Sequence, residues 1–261
     1  MNRCIAILLL LSFALVGCVA AEQEYVLPPS LYSPDDFQME GEYLTCNAGQ
    51  TILGIDVSSH QGEIDWQAVA EAGIGFAFVR LGYRGYDSGT LQEDTYARQN
   101  LQGAKAAGIP VGAYFFSQAT SPEEAAEEAA YALQILGQMQ LELPLVYDWE
   151  YISASARTGN VDKQALTDCT LSFCQAVQGA GYDAMIYANT DQVTRRLDME
   201  KLESYPLWLA KYDLQQDFPC KMDLWQYTDS GEVSGIAGKV DINLMFTDYG
   251  LGAAYIAGEV E

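Results

Sequence analysis

The chain has 261 residues, longer than an average domain but usual for a single α/β barrel, and 49% of them are apolar, enough for a sizeable core. Its formal net charge of −23 argues against nucleic acid as a partner, because the phosphates would be repelled, and against electrostatic capture by anionic lipid. A neutral or zwitterionic substrate is not excluded by this charge.

The first 18 residues indicate export. Arg3 is followed by an apolar run over residues 5–16, which is too short to span a bilayer but is typical of a signal peptide. The run ends in Leu15-Val16-Gly17-Cys18, which resembles the lipobox of bacterial lipoproteins. We therefore expect a lipoprotein signal peptide over residues 1–17 and a lipid anchor at Cys18, on the extracellular face of a bacterial membrane. The alternative is an ordinary signal peptide cleaved nearby, which would give a secreted protein.

A regular alternation of strands and helices begins after a proline-containing segment. Residues 18–50 carry prolines and acids with little periodicity, which predicts a flexible tether. A barrel is then expected over residues 51–250, followed by a C-terminal tail over 251–261. Its strand-like runs read, in order, ILGIDVS, FAFVRLG, VGAYFFS, LPLVYDWE, AMIYANT, LWLAKY, MDLWQYT and VDINLMF.

The connections between these runs define the fold class. Helical segments separate the earlier runs, and the last three runs have short, mostly non-helical connections. Strand–helix alternation implies a parallel sheet, and eight strands suggest closure into a barrel. The sequence thus predicts an α/β protein with one modified barrel, five of whose strands have βα character.

Two acids follow directly on a strand that otherwise appears buried. Asp148 and Glu150 end the fourth run, and residues i and i+2 of a strand share a face, about 6.6 Å apart along it. In a parallel barrel the C-terminal ends of the strands carry the chemistry. Repulsion and partial burial should raise one carboxyl pKa and leave the other group ionised, which provides an acid beside an anion.

A second pair of acids is expected on the opposite wall. Asp56 ends the first strand and Asp241 lies in the eighth, and these strands are neighbours in a closed barrel. Four acids around one mouth suit glycoside hydrolysis, in which carboxylates protonate the glycosidic oxygen and stabilise positive charge at the anomeric carbon. The alternatives are that Asp56 caps the following loop and that Asp241 forms a structural ion pair with Arg80.

Other polar and aromatic side chains are candidates for sugar contacts. Gln226 and Asn243 are placed to hydrogen-bond either an acid or a sugar, and His60 is expected to hold the loop after the first strand. The aromatic candidates, which could instead fill the barrel core, are Tyr114, Phe116, Tyr187, Trp208 and Tyr227.

Cysteine and histidine content bears on cross-links and cofactors. Four cysteines remain after Cys4 and Cys18 are set aside, and they allow three disulfide pairings. Cys169 and Cys174 are five residues apart in a predicted helix, which is poor disulfide geometry. His60 is the single histidine, so we expect no His-based metal site, and no metal or organic cofactor.

Eight motifs, in order, resemble glycoside hydrolase family 25 over about residues 52–247. They read GIDVSSHQGEIDW, FVRLGYRGY, GAYFFS, YDWE, MIYANT, LWLAKY, LWQYT and VDIN. The resemblance implies a (β/α)5(β)3 barrel, and a lysozyme that cuts the β-1,4 bond after N-acetylmuramic acid in peptidoglycan.

The resemblance also assigns roles to the acids. Glu150 matches the general acid/base, Asp148 matches the acid that orients or stabilises the substrate 2-acetamido group, and Asp56 and Asp241 match the remaining acids. A protein nucleophile needs carboxyl groups about 5–5.5 Å apart and inversion needs about 6.5–9.5 Å, and backbone spacing does not place the groups that finely. We favour substrate assistance, with the 2-acetamido oxygen as the nucleophile and retention of configuration as the expected outcome. The chain departs from the family where many members have a histidine after the third strand and this chain has Tyr114-Phe115-Phe116.

Two rivals to a lysozyme remain at this point. One is a catalytically silent barrel that only binds cell-wall glycan, although a pure binder would not need to keep acids that are costly to bury. The other is a hydrolase of a related acetamido-sugar polymer such as chitin. We expect a monomer, and the biological target of the activity stays open.

Overall fold

The computed structural model describes residues 25–257 of the chain. The predicted signal peptide over residues 1–17 and the lipidation at Cys18 lie outside the described residues. Within the described part, no helix combines the length and the hydropathy that are needed to cross a membrane.

The described residues form eleven strands around a central barrel. Strands are numbered in chain order and have these bounds: β1 Phe37–Glu40, β2 Tyr43–Cys46, β3 Thr51–Val57, β4 Phe76–Arg84, β5 Leu91–Glu93, β6 Val111–Ser117, β7 Leu145–Trp149, β8 Ala184–Asn189, β9 Leu207–Ala210, β10 Leu224–Gly231 and β11 Val240–Phe246. The α-helices are α1 Trp66–Glu71, α2 Ala97–Ala106, α3 Pro122–Leu136, α4 Lys163–Gly179 and α5 Gly250–Ala257.

Eight of these strands close into a barrel. Their order is β3-β11-β10-β9-β8-β7-β6-β4, and pairing between β4 and β3 completes the ring. All neighbours are parallel except β11, which runs antiparallel to both β10 and β3. Helices α1 to α4 and one π-helical turn, Gln192–Arg196, follow the first five barrel strands. The predicted modified α/β barrel with five βα units and three further strands is confirmed.

Local sequence signals explain where the elements begin. Ser121 lies before α3, and its hydroxyl accepts a hydrogen bond from the backbone N–H of Glu124. Pro122 occupies the first helical position, where its missing N–H costs nothing. Buried alanines of this helix, including Ala125 and Ala129, allow it to pack closely on the outside of the barrel.

The N-terminal half of the barrel interior is filled by apolar side chains, including aromatic rings. A Cβ at Gly54 would come within 2.2 Å of the Phe76 ring, and one at Gly112 would come within 2.2 Å of the Phe78 ring. These glycines therefore make room for two phenylalanines inside a narrow cylinder. Leu251 and Tyr255 of α5 pack against the same interior cluster from the N-terminal end of the barrel. The apolar filling leaves only the C-terminal half of the interior open to polar groups.

Two terminal segments are more ordered than their sequence suggested. The predicted tail over 251–261 begins as α5, whose Tyr255 hydroxyl donates 2.7 Å to the Gly75 carbonyl. The prediction of a flexible tether over 18–50 is wrong for residues 25–50, the part that the structure describes. Strands β1 and β2 form an antiparallel hairpin there. Tyr32, Phe37 and Leu44 are buried in the main core, and burial of three such side chains outweighs the disorder that the prolines favour.

The four cysteines of the described part are unpaired. Cys46 and Cys220 are partly buried, and Cys169 and Cys174 are buried within α4.

Candidate active site

A pocket of about 180 Å³ opens at the C-terminal mouth of the barrel. It brings together the two pairs of acids that the sequence places at the first, fourth and eighth strands of the barrel, which are β3, β7 and β11. Asp148 and Glu150 come from β7 and the residue after it, Asp56 from β3 and Asp241 from β11. The other residues of its wall are Ser58, His60, Gln61, Arg80, Tyr114, Phe116, Tyr187, Trp208, Tyr212 and Gln226.

Strand alternation places the β7 acids on the inner face of the barrel. Trp149, between them, points outward, where its indole N–H donates 2.9 Å to the Ala119 carbonyl. The backbone carbonyls of Trp149 and Glu150 accept hydrogen bonds from the Gln192 and Gln118 side chains, both at 2.7 Å. The chain beyond the strand is therefore held in place, and the second carboxylate is held at the rim.

The environment of the β7 pair favours bound protons. The pKa of Asp148 is raised well above its ordinary value, chiefly by burial and then by the charge of Glu150. Burial, and next the charge of Asp56, raise the pKa of Glu150. The Oδ1 atom of Asp148 is buried without a hydrogen-bond partner among the described residues. A buried acceptor without a donor is costly and is a natural contact for a ligand N–H group.

The second pair of acids faces each other across two strands. Asp56 is paired with Asp241 in the β3–β11 register. Burial raises the pKa of Asp56 to about 6, against the opposing effect of hydrogen bonds from Asn243 and Gln226. Burial, followed by the charge of Asp56, raises the pKa of Asp241 to about 8. Near neutral pH this pair therefore holds about one proton.

The alternative ion pair between Asp241 and Arg80 is not formed. Arg80 instead pairs with the buried carboxylate of Asp94 at 2.7 Å and donates 3.1 Å to the Ser59 hydroxyl. Its guanidinium still lines the pocket and lowers the pKa of Asp148 against the larger raising effects. Asp94 follows the β4–β5 hairpin, so no local sequence pattern revealed this pairing.

The predicted sugar-contact residues fall into two groups. Tyr114, Phe116, Tyr187, Trp208 and Gln226 line the pocket. Asn243 lies behind Asp56 with no exposed surface and contacts the acid rather than the pocket space. The prediction that Tyr227 contacts sugar is wrong. It follows Gln226 by one residue and so points outward, and its hydroxyl accepts the backbone N–H of Leu44 at 3.3 Å.

The sequence analysis did not identify two residues of the pocket wall as part of the site. Tyr212 lies two positions after Ala210, the last residue of β9, and its hydroxyl donates 3.1 Å to Gln226 Oε1. Continuing the inward alternation of β9 beyond its end would have identified it. Arg80 had been considered only as a partner for Asp241. His60, expected to hold the loop after β3, lies in a short 3₁₀ turn whose N-cap Ser58 accepts its backbone N–H.

A wider cleft of about 570 Å³ adjoins the acid pocket. The two spaces share the wall residues His60, Arg80 and Phe116. The cleft is bordered by Tyr86, which is 51% exposed, and by Ile152, which is 40% exposed. The acid pocket thus forms the deep end of a longer groove with an aromatic and aliphatic rim. Among the described residues, no group of three or more His, Cys, Asp or Glu side chains is arranged to hold a metal ion.

Carboxylates with raised pKa values at the mouth of a modified α/β barrel, beside a groove with apolar rims, define the class of barrel glycosidases. A comparison with known families matches residues 55–236 to the family described as Glycosyl hydrolases family 25. The chain belongs to that family, and the resemblance seen in its sequence motifs is confirmed.

Among curated proteins, the chain is similar to a lysozyme. The chain is 26% identical over 196 residues to the autolytic lysozyme of Clostridium acetobutylicum, covering 73% of this chain and 54% of that protein. The chain therefore spans about half the length of this curated relative.

Solved structures show the same barrel. The modular autolysin LytC of Streptococcus pneumoniae, in complex with a synthetic peptidoglycan ligand, is 26% identical with a TM-score of 0.67, covering 76% of this chain and 47% of that one. The bacterial lysozyme of Streptomyces coelicolor is 26% identical with a TM-score of 0.62, covering 79% of this chain and 95% of that one.

Proposed function

We propose that the protein is a lysozyme that hydrolyses the β-1,4 bond between N-acetylmuramic acid and N-acetylglucosamine in peptidoglycan. The observation that carries this proposal is the convergence of Asp56, Asp148, Glu150 and Asp241 in one pocket of a family 25 barrel. The lysozyme and autolysin names of its relatives support the same substrate class.

Glu150 acts as the general acid and then the general base. It is the less buried member of the β7 pair, at the rim where the glycosidic oxygen of a bound chain would lie. Its raised pKa keeps a proton available for the leaving oxygen. As the glycosidic bond breaks, that proton goes to the leaving sugar. Glu150 then takes a proton from the water that attacks the anomeric carbon.

Asp148 positions the nucleophile that the substrate supplies. The 2-acetamido oxygen attacks the anomeric carbon and forms a cyclic, positively charged oxazolinium. The unpartnered Oδ1 of Asp148 accepts the acetamido N–H, which orients the group. Asp148 acts as the ionised carboxylate, because the proton on Glu150 removes the negative charge that, after burial, most raises the pKa of Asp148, and the positive charge that develops on the oxazolinium lowers that pKa further. Water opens the ring from the face that the leaving group vacated, so the configuration is retained.

The wider cleft holds the rest of the glycan. Its rim presents Tyr86 and Ile152 to solvent, and such apolar surfaces stack against the C–H faces of sugar rings. The binding energy of these contacts orients the glycan over the acids. In this arrangement the acid pocket carries out the reaction and the wider cleft binds the rest of the chain.

The anchor at Cys18 is part of the proposal. It would tie the enzyme to the extracellular face of a bacterial membrane. Residues 19–24 separate Cys18 from the described fold, and six residues span at most about 20 Å. An anchored enzyme would therefore act on the glycan layers nearest the membrane.

Replacement of Glu150 by glutamine tests the activity. The wild type should release reducing ends from purified peptidoglycan, and mass spectrometry should find N-acetylmuramic acid at the new end. Glu150→Gln should lose about 10²–10⁴-fold in rate and still bind the glycan. The control is Glu232→Gln, because Glu232 is exposed and pairs only with Lys239 among the described residues.

Each rival predicts a different result in this assay. Binding by the wild type without cleavage would support the silent glycan-binding barrel. Cleavage of chitin but not of peptidoglycan would support the other acetamido-sugar hydrolase. Equal loss of activity in Glu232→Gln would show that the effect of Glu150→Gln is not specific to the pocket.

A further inference from the structure

Asp56 is held by two side-chain amides that converge on one of its oxygens. Asn243 Nδ2 donates to Asp56 Oδ2 at 2.8 Å, and Gln226 Nε2 donates to the same oxygen at 2.9 Å. All three side chains are buried. Two N–H donors on one carboxylate oxygen favour its ionised form.

The orientation of the Asn243 amide is fixed by a group that can only donate. An amide can rotate by half a turn and exchange its oxygen and nitrogen, so Asn243 alone would not have to present an N–H to Asp56. The Trp208 indole N–H lies 2.8 Å from Asn243 Oδ1 and has no acceptor capacity. A flipped amide would place its NH₂ against this N–H. The indole therefore sets which end of Asn243 faces the acid.

Trp208 is itself held in a rigid position. Its side chain is 1% exposed, and its ring packs edge-on against Tyr187 with centroids 5.0 Å apart. The Phe78 ring lies 4.8 Å away on another side. The indole N–H cannot swing away without disturbing the packed interior of the barrel.

A parallel arrangement holds Gln226. Its Oε1 accepts from the Tyr187 hydroxyl at 2.8 Å and from the Tyr212 hydroxyl at 3.1 Å. A tyrosine hydroxyl can donate or accept, so this restraint is weaker than the one that the indole imposes. Asp241, by contrast, receives neither amide, although it lies opposite Asp56.

We propose that Trp208 and Asn243 are positioning residues that make Asp56 the ionised member of the Asp56–Asp241 pair and leave the shared proton on Asp241. The proton distribution follows from the hydrogen bonds alone, and only its role in catalysis rests on the proposed function. A fixed anion on the wall opposite Glu150 would stabilise the positive charge that develops on the sugar. It would do so without competing with Glu150 for the proton that the leaving group needs.

The other charged and titratable groups of the pocket enter the same balance. Asp148 and Glu150 face the pair from β7 and Asp229 acts on it from β10, and all three raise the cost of a second negative charge. Arg80 lies on β4 and offsets part of that charge. The remaining titratable groups that line the pocket are His60, Tyr114, Tyr187 and Tyr212.

A carboxyl titration measures the proton distribution directly. Aspartate labelled with ¹³C at the carboxyl carbon would be followed by NMR from pH 3 to 9, with Asp56→Asn and Asp241→Asn spectra to assign the two signals. In the wild type Asp56 should titrate below Asp241. In Trp208→Phe, which keeps a ring and removes the N–H, the Asp56 midpoint should rise by about one pH unit, because its donor is no longer fixed.

Trp225→Phe is the matched control. Trp225 is also fully buried, and its indole N–H also donates at 2.8 Å, but to the Lys211 carbonyl outside the pocket. This variant should leave both midpoints unchanged. An equal rise of the Asp56 midpoint in both tryptophan variants would mean that general loosening, not the lost N–H, is responsible, and would overturn the proposal.

Kinetics supply an independent readout. In Trp208→Phe, the acidic limb of the kcat/KM profile on peptidoglycan should move to a pH about one unit higher. On the acidic side of the limb kcat/KM should fall about tenfold, and at higher pH it should fall less than threefold. Asn243→Ser should give a shift in the same direction and serves if Trp208→Phe does not fold.

Two further results would overturn the inference. One is a wild-type titration in which Asp56 binds its proton more tightly than Asp241. The other is a folded Trp208→Phe protein with an unchanged Asp56 midpoint. The titration needs no substrate, so the expected midpoints in a protein that cleaves no peptidoglycan would reject the proposed function and leave this inference standing.

Discussion

Asp241 lies directly opposite Asp56 in the antiparallel register between β11 and β3. Because β11 runs against its neighbours, its beginning rather than its end lies at the mouth of the barrel. Asp241 is the second residue of its strand, whereas Asp56 is the last but one of its own. Reversal of one strand thus adds a fourth acid to a site that parallel strands build from their C-terminal ends.

Asp241→Asn should stabilise the protein, and more so at high pH. The raised pKa, about 8, means that the folded state keeps a proton that the unfolded chain releases above about pH 4. Tighter proton binding by the folded state therefore stabilises it fully below pH 4, and this stabilisation is lost as the pH rises towards 8. Asparagine cannot ionise and avoids that loss. We expect a gain at pH 8 of about 1–2 kcal/mol, or roughly 2–8 °C in Tm.

Calorimetry at pH 4 and pH 8 measures this difference. Asp183→Asn, which removes an exposed negative charge just before β8, is the control for net charge and should give a Tm difference that varies little with pH. A Tm gain for Asp241→Asn that is as large at pH 4 as at pH 8 would contradict the titration argument. Activity should fall, because the side chain belongs to the pocket.

Period-2 alternation is what made most of the pocket predictable from sequence. Asp148, Glu150 and Asp56 follow from strand ends and from the rule that residues i and i+2 share a face. Tyr227 was misplaced because one residue of displacement along a strand reverses the face, and Gln226, its neighbour, is the one that points inward. The Trp208–Asn243 hydrogen bond joins residues 35 positions apart on non-adjacent strands, so nothing local in the sequence reveals it.

Tyr86→Ala and Ile152→Ala should weaken binding of long glycans. Both side chains border the cleft beside the acids, but neither contacts the four carboxylates that line the deeper pocket. Loss of binding surface that is equally used before and during reaction raises KM and leaves kcat unchanged. We expect KM on polymeric peptidoglycan to rise about threefold to tenfold, a loss of about 0.6–1.4 kcal/mol for each variant.

The control for the cleft variants is Leu31→Ala, an apolar side chain of the N-terminal segment that is 66% exposed. It should leave both kinetic constants unchanged. A fall in kcat with constant KM for Tyr86→Ala would show that this side chain acts on the chemical step, and the division between pocket and groove would then be wrong.

Cys18→Ser tests the proposed anchor. In a bacterial host that processes lipoproteins, the wild type should sediment with membranes and be released by detergent, whereas the variant should appear in the soluble or secreted fraction. Cys220→Ser, a partly buried cysteine of the β9–β10 connection, controls for the loss of a thiol and should remain with the membranes. Identical fractionation of wild type and Cys18→Ser would reject lipidation at this position.

Truncation of the N-terminus tests where the folded unit begins. The described fold starts before the barrel, since Tyr32 donates 2.5 Å to Asp248 and packs on Phe246 with ring centroids 4.8 Å apart. Phe37 packs edge-on against Trp225 at 5.3 Å, and Leu44 is 2% exposed. Burying each of these side chains contributes about 1.5–3 kcal/mol, an upper estimate because the unfolded chain is partly compact.

A chain that starts at residue 25 should therefore unfold at the same temperature as the full chain. One that starts at residue 51 should lose at least 8 °C in Tm or fail to fold, from the loss of about 4 kcal/mol or more. Thermal unfolding followed by circular dichroism distinguishes the two. Tyr32→Phe in the longer chain separates the hydrogen bond to Asp248 from the packing and should cost about 1 kcal/mol. Equal Tm values for the chains that start at 25 and at 51 would show that the β1–β2 hairpin adds nothing to the barrel, as a tether would.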